Sequence, residues 1–161
     1  MKDFRIGCGS DTHRLEKGRR LILGGVTIPH EAGLAGHSDA DVLIHAVIDA
    51  WLGALALGDI GSHFPDTDVA YKDIDSRKLL KAVLALPESR NWKLNNLDIT
   101  IHAQRPKLAP YIQRIRENLA EDMNTPVSRI SVKAKTGEKI GFIGREEGIF
   151  AQAVLTLIQE D

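Results

Sequence analysis

Asp11 and His13 stand two residues apart at the polar end of an apolar segment. Side chains two apart in a strand share a face, so one cation could take both. His45 lies in an apolar run with helical spacing, with Asp41 four residues before it and Asp49 four after, on one helical face. One carboxylate and two imidazoles give three ligands and an open fourth position. That is the pattern of a catalytic zinc site, and the open position can polarise a phosphate oxygen. Asp41 or Asp49 is expected to hold the free ring nitrogen of His45. Asp-x-His is a short motif that also arises by chance, so a turn aspartate and a hydrogen-bonded histidine compete for the same residues.

Three further segments carry polar groups suited to phosphates and polyols. His37-Ser38 precedes the His45 helix, where free N–H groups favour an anion. Asp39 and Asp41 in the first turn repel a phosphate unless a cation intervenes, and a plain cap is the competing reading. Gly58 to Gly61 and Phe64 to Asp68 form an acidic, glycine-bearing loop that suits either hydroxyl recognition or turn chemistry. Lys135 to Arg145 follows a strand and carries Thr136, Glu138 and three cations. Glu138 is a hard oxygen ligand suited to Mg²⁺ beside a substrate phosphate, and Lys135, Lys139 and Arg145 offset phosphate charge. A solvated loop competes here, and the order of a P-loop is missing. His30, His63, His102 and Cys8 read as loop or strand residues outside any site.

The elements that must position these groups follow from periodicity. Phe4 to His13 reads as a strand. Leu21–Leu23 and Val26–Ile28 read as a hairpin with Gly24-Gly25 as its turn. Pro29 to Gly36 reads as a loop. Ser38 is expected to cap a helix running to about Leu57, with Asp41 completing a box-like start. A second helix begins at Asp75 or Ser76 and ends before Pro87. Leu97 to Ala103 alternates as a strand, Lys107 to Asp122 is an amphipathic helix, and Ile130–Ala134 and Gly148–Ile158 are strands. The prediction is an α/β (α+β) chain: about four strands in a mixed sheet with helices on one face. The other face needs a cover, and a homo-oligomer such as a closed trimer, packed through the sheets, supplies one.

The chain of 161 residues is expected to be a single domain, residues 1–161. A net charge of −1 and 5% aromatic residues give no footprint for nucleic acid or a membrane surface. One cysteine cannot form an internal disulfide, and the start lacks an apolar leader, so a cytoplasmic, reducing compartment is expected.

Taken together, Ser10-Asp11-Thr12-His13, Gly36-His37-Ser38-Asp39-Ala40-Asp41, His45, Gly58-Asp59-Ile60-Gly61, Phe64-Pro65-Asp66-Thr67-Asp68 and Gly141 to Gly148 resemble the 2-C-methyl-D-erythritol 2,4-cyclodiphosphate synthases of the non-mevalonate isoprenoid pathway. The resemblance runs from Arg5 to about Leu157. It implies a lyase that cyclises 4-diphosphocytidyl-2-C-methyl-D-erythritol 2-phosphate and releases CMP. It implies a homotrimer with active sites between subunits. It implies Zn²⁺ on Asp11, His13 and His45, and Mg²⁺ or Mn²⁺ on Glu138 with the substrate diphosphate. His37 and Thr136 match residues that stabilise the transition state.

Further substrate contacts are implied at Thr12, Ser38, Lys135, Gly137, Phe142 and Arg145. Asp59, Ile60 and Gly61 match a ribose loop, and Phe64, Pro65, Asp66, Thr67 and Asp68 match contacts to the methylerythritol end. Ala103, Gln104, Arg105, Pro106, Lys107, Leu108 and Ala109, with the run from Ala134, match a cytidine pocket. Ser10 stands where many members carry an aromatic residue, and Lys135 where many carry threonine. A zinc-dependent phosphohydrolase and a non-catalytic metal-binding oligomer are the competing functions. The hydrolase would release inorganic phosphate, and a structural zinc would need a fourth protein ligand.

Overall fold

The computed structural model describes residues 3–159. The chain begins with a long strand, β1 (Phe4–Lys17), then the hairpin β2 (Leu21–Leu23) and β3 (Val26–Ile28), and a short strand, β4 (Ala32–Leu34). Helix α1 (Val42–Ala54), a single turn α2 (Ile60–His63) and helix α3 (Ser76–Leu84) follow. Then come β5 (Trp92–His102), α4 (Ile112–Asp122), β6 (Ile130–Lys135), the turn α5 (Gly141–Gly144) and β7 (Gly148–Gln159).

The main sheet has five strands in the order β4-β1-β7-β5-β6. All its pairs are antiparallel except β5 with β6, so the sheet is mixed as expected. The strand beyond the expected four is β4. It lies inside the segment read as a loop, and Leu34 pairs with Leu15 across it. Three residues are too few to show a period of two. The Gly24-Gly25 hairpin stands as read, with both glycines at positive φ.

Helix α1 starts at Val42, three residues later than a Ser38 cap would have it, and Asp41 is its cap, accepting from the Ile44 N–H. Ala40 sits at φ 58°, which no helix interior tolerates, so the Ser38–Asp41 segment is a turn. The helix ends at Ala54 with Leu55 as its C-cap. The loops read at 58–68 and 135–147 each contain one helical turn, α2 and α5. Asp75 caps α3 as expected.

Helix α1 packs directly on β1 and β7. Gly7 and Gly9 make that possible: a Cβ on Gly7 would stand 1.8 Å from the Ala50 carbonyl oxygen, and one on Gly9 2.2 Å from that of Ala46. On the same side of the sheet Leu97, Ile99, Ile101, Ile149, Ala151, Ala153, Leu155 and Leu157 are buried with Leu43, Ile44, Val47, Ile48 and Leu52 of α1. Each fully buried Leu or Ile contributes about 1.5–3 kcal/mol. Helix α1 is apolar nearly all round because α3 and the β2–β3 hairpin cover its outer side. The opposite sheet face exposes Phe4, Ile6 and Val154.

Candidate functional site

The tight seat of α1 on β1 brings three polar side chains to one point. Asp11 and His13 project from the same face of β1, and His45 reaches them from the first turns of α1. His13 Nε2 lies 2.8 Å from Asp11 Oδ2, His45 Nδ1 lies 3.0 Å from the same oxygen, and the two ring nitrogens are 3.2 Å apart. These atoms form a group that could hold one metal ion, with one ligand atom from each residue. His13 Nδ1 donates to the Ala35 carbonyl at 2.7 Å, which fixes its tautomer and leaves Nε2 aimed at the cluster. Burial opposes a charge on Asp11, yet hydrogen bonds from His13 and His45 outweigh it and hold the carboxyl well below its usual range. Burial likewise opposes a charge on His13, and Asp11 overcomes it and raises the imidazole. A site that concentrates negative charge and imidazole nitrogens half-buried in this way has the donor set of Zn²⁺.

The ring nitrogen of His45 that faces away from the cluster meets neither Asp41 nor Asp49, contrary to expectation. His45 Nε2 lies 2.9 Å from Ser76 Oγ and 3.1 Å from Ser38 Oγ. Asp41 turns the other way and accepts from Gly24, Gly25 and Ile44 N–H groups, while Asp49 accepts from Ile60 N–H at 2.7 Å. Backbone donors claim both carboxylates. Ser76, with Asp39 hydrogen-bonded behind it, is a neighbour of His45 that sequence reasoning missed. Ser76 lies 31 residues beyond His45, so no local spacing could announce it.

A cavity of about 440 Å³ opens beside the cluster. Its walls include His13, His37, Ser38 and His45 on one side and Ile60, Gly61, Phe64, Pro65 and Asp66 on the other. His37 donates from Nε2 to the Asp68 carbonyl at 2.9 Å, which ties the two walls together. Asp59 caps α2 through Ser62, and that hydrogen bonding lowers its carboxyl from the usual value. Asp59, Thr67 and Asp68 do not line this cavity, and Thr12 is exposed on β1.

A second cavity, of about 510 Å³, collects Ala103 to Ala109 with Ala134, Lys135 and Thr136. His30, set aside from sequence, also lines it. The Arg105–Pro106 peptide bond is cis, and Arg105 is braced by Glu31 at 2.6 Å and Glu146 at 3.0 Å. Glu138 is exposed at φ 50°, where its N–H donates to Thr136 Oγ1. Gly137 packs against Gly144, Phe142 is exposed, and Arg145 pairs with Glu147. The two cavities share no lining residue, and Glu138 is not among the cluster atoms around Asp11. One chain thus presents two separate cavities.

Comparison with known proteins matches residues 4–158 to the sequence model of the YgbB family. A 2-C-methyl-D-erythritol 2,4-cyclodiphosphate synthase of Geobacter metallireducens is 61% identical over 154 residues, covering 96% of this chain and 98% of that one. Among solved structures, the bifunctional IspDF from Campylobacter jejuni superposes with a TM-score of 0.95 at 42% identity, covering all of this chain and 44% of that longer one. A CDP complex of IspF from Plasmodium falciparum superposes with a TM-score of 0.85 at 35% identity, covering 100% of this chain and 99% of that one.

Proposed function

The chain belongs to the YgbB family, and from that membership we propose that it cyclises 4-diphosphocytidyl-2-C-methyl-D-erythritol 2-phosphate, releasing CMP. It is a cyclising lyase that makes 2-C-methyl-D-erythritol 2,4-cyclodiphosphate for isoprenoid biosynthesis. The observation that carries the reading is the convergence of Asp11, His13 and His45 on the wall of the 440 Å³ cavity.

The reaction forms a bond from a substrate 2-phosphate oxygen to the β-phosphorus and breaks the bond to CMP. The nucleophile is already anionic, so no general base is required, and the obstacles are charge repulsion and ring-closure geometry. A zinc ion on Asp11, His13 and His45 would polarise a phosphate oxygen, and a magnesium or manganese ion on Glu138 would offset diphosphate charge. His37 and Thr136 are the hydrogen-bonding groups for the transferring phosphoryl. Phe64, Pro65 and Asp66 fit the methylerythritol end. The Asp59–Gly61 turn takes the ribose, and the Ala103–Ala109 cavity takes the cytosine, in keeping with the CDP carried by the Plasmodium falciparum relative. Lys135, Gly137, Phe142 and Arg145 complete the diphosphate surroundings.

Because the two half-sites are separate in one chain, a homotrimer packed through the sheets is the assembly that joins them. The exposed Phe4, Ile6 and Val154 on the uncovered sheet face support it. Among the described residues, no helix is long and apolar enough to cross a membrane.

The test is ³¹P NMR of the purified protein with substrate, Zn²⁺ and Mg²⁺, beside His45→Ala. A coupled pair of cyclic diphosphate resonances with stoichiometric CMP, lost in the variant, is the expected result. Inorganic phosphate would instead assign a hydrolase. A variant that loses its fold as well as turnover would assign a structural metal.

A further inference from the structure

Helix α1 carries a second polar group one turn beyond His45. Asp49 stands four residues after it, roughly 6 Å further along the helix axis. It is half-buried beside β1, where a Cβ on Gly9 would lie 2.8 Å from that of Asp49. From this seat its Oδ1 accepts the Ile60 N–H at 2.7 Å. Ile60 is the first residue of α2, and a helix leaves its first N–H groups without partners of its own. Asp59, the cap of α2, uses its side chain on Ser62. The donor left at Ile60 is taken by Asp49, from another element. The turn itself is weakly held. It is four residues long and buries none of them fully. Ser62 and His63 bond within the same segment, to Asp59 and to the Leu57 carbonyl. A helix this short does not hold itself in water. Yet Ile60 and Gly61 form the wall of the 440 Å³ cavity that faces His13, His37 and His45.

We propose that Asp49 is a positioning residue for the nucleoside end of the substrate. It acts through the Asp59–Gly61 turn, which it fixes to the helix that carries His45. One rigid element then sets the distance between the metal ligands and the turn assigned above to the ribose. The inference rests on that assignment. Asp49 serves as an acceptor, and its charge is not required, because a backbone N–H needs only a lone pair.

The kinetic consequence has a definite form. The ribose lies away from the reacting phosphates, so a loosened turn removes binding that the ground and transition states share. Such a loss raises KM and leaves kcat. Asp49→Ala deletes the acceptor, whereas Asp49→Asn keeps a carbonyl oxygen for the Ile60 N–H. Ile60→Pro deletes the same bond from the donor side. Proline is tolerated at the first position of a helix, and Asp59 before it is already extended, at φ −133° and ψ 174°.

The experiment measures KM, kcat and Zn²⁺ affinity for these variants and for the Asp49→Ala/Ile60→Pro double variant. It also follows hydrogen exchange of the Ile60 amide by NMR, which is read without substrate or metal, and far-UV circular dichroism checks the fold. Asp49→Ala is expected to raise KM about tenfold and to speed Ile60 exchange about tenfold, with kcat and Zn²⁺ affinity within about twofold of wild type. Asp49→Asn is expected to stay within about twofold of wild type in every readout, and in the Ile60→Pro background Asp49→Ala is expected to add less than about twofold to KM. A folded Asp49→Ala protein with wild-type KM and Ile60 exchange overturns the proposal. So does Asp49→Asn behaving like Asp49→Ala, which would make the charge the active feature. A full Asp49→Ala effect in the Ile60→Pro background, or a parallel loss of kcat and Zn²⁺ affinity, places the action of Asp49 elsewhere and overturns it too. Should Asp49→Ala lose its fold, Ile60→Pro is held to the same KM criterion. A wild type without turnover sinks the assignment of the site separately, since Ile60 exchange still decides whether Asp49 anchors the turn.

Discussion

Replacing Gly9 with alanine would drive a methyl group into helix α1. The added Cβ would lie 2.2 Å from the Ala46 carbonyl oxygen, 2.5 Å from the Ala50 nitrogen and 2.8 Å from Asp49 Cβ. The first two obstacles are backbone, so no rotamer change relieves them. Ordinary contact begins at 3.4 Å, so α1 must retreat from β1 by about 1.2 Å at that turn. Overpacking of this kind costs about 1–3 kcal/mol. Ala46 adjoins His45, and Gly9 lies two residues before Asp11 on the same strand. The retreat therefore separates His45 from the other two ligands by a comparable distance, several times the roughly 0.2 Å that a metal site tolerates. Zn²⁺ titration with a competing chelator is expected to show at least a tenfold loss, on the order of the effect of disturbing supporting groups. Gly53→Ala is the matched control in the same helix. Its Cβ would meet only the Cys8 carbonyl oxygen, at 3.8 Å, and removing a helical glycine should stabilise by about 0.5–1 kcal/mol with zinc binding unchanged. A Gly9→Ala protein with wild-type stability and zinc affinity would refute the idea that the α1–β1 seat sets the ligand geometry.

Arg77 grips the fully buried Asp122 carboxylate with Nε at 2.6 Å and Nη2 at 2.9 Å, whereas the largely exposed Lys81 touches it at 3.1 Å. Arg77→Ala should cost about 3 kcal/mol in urea unfolding and Lys81→Ala under about 1 kcal/mol, and equal costs would contradict this account. Asp41 is pushed up to about 6 by burial first and by the Asp39 charge second, against N–H groups of Gly25, Ile44 and Gly24. The folded chain keeps this proton where the unfolded chain, near 3.8, has lost it. Its contribution is therefore complete below about pH 4 and lost by about 3 kcal/mol as pH rises through about 6. The wild-type-minus-Asp41→Asn difference in unfolding free energy should fall by that amount between about pH 4 and 7, and a flat difference would argue otherwise. Chelation with EDTA should abolish cyclic diphosphate formation and leave the far-UV circular dichroism unchanged, since the core does not pass through the triad; concurrent unfolding would point to a structural metal.

Much of this architecture was legible in the sequence because the signals were local. The alternation around Leu97 to Ala103, the Gly24-Gly25 turn and the Asp75 cap each sit within a few residues of what they determine. The triad was legible for two reasons. Asp11 and His13 share a strand face, and their partner His45 belongs to a set of motifs that resembles one family. What stayed hidden depends on chain segments far apart. Strand β4 exists because Leu15 pairs with Leu34. Helix α1 starts late because Asp39 is drawn to Ser76, 37 residues away, and Ala40 adopts a positive φ between them. Asp41 and Asp49 share the His45 face in helical projection, yet backbone N–H groups of the hairpin and of α2 take them first. The separation of Thr136 from Asp11, His13 and His45 had no local signature either, since it is a property of two surfaces of one chain.

The β1–β7 strand pair joins segments far apart in sequence. Strand β1 is registered against β7 from Phe4 with Ile158 to Arg14 with Gly148. Asp11 and His13 sit on a strand whose partners across β7, Ala151 and Ile149, lie more than a hundred residues further along the chain. Pairings of such sequence separation carry a large loop-closure entropy and slow the folding of sheet proteins to the millisecond-to-second range. Closure of the β1–β7 pair is consequently a late step of folding, and the seat of α1, which packs on both strands, is complete only when that pair has formed.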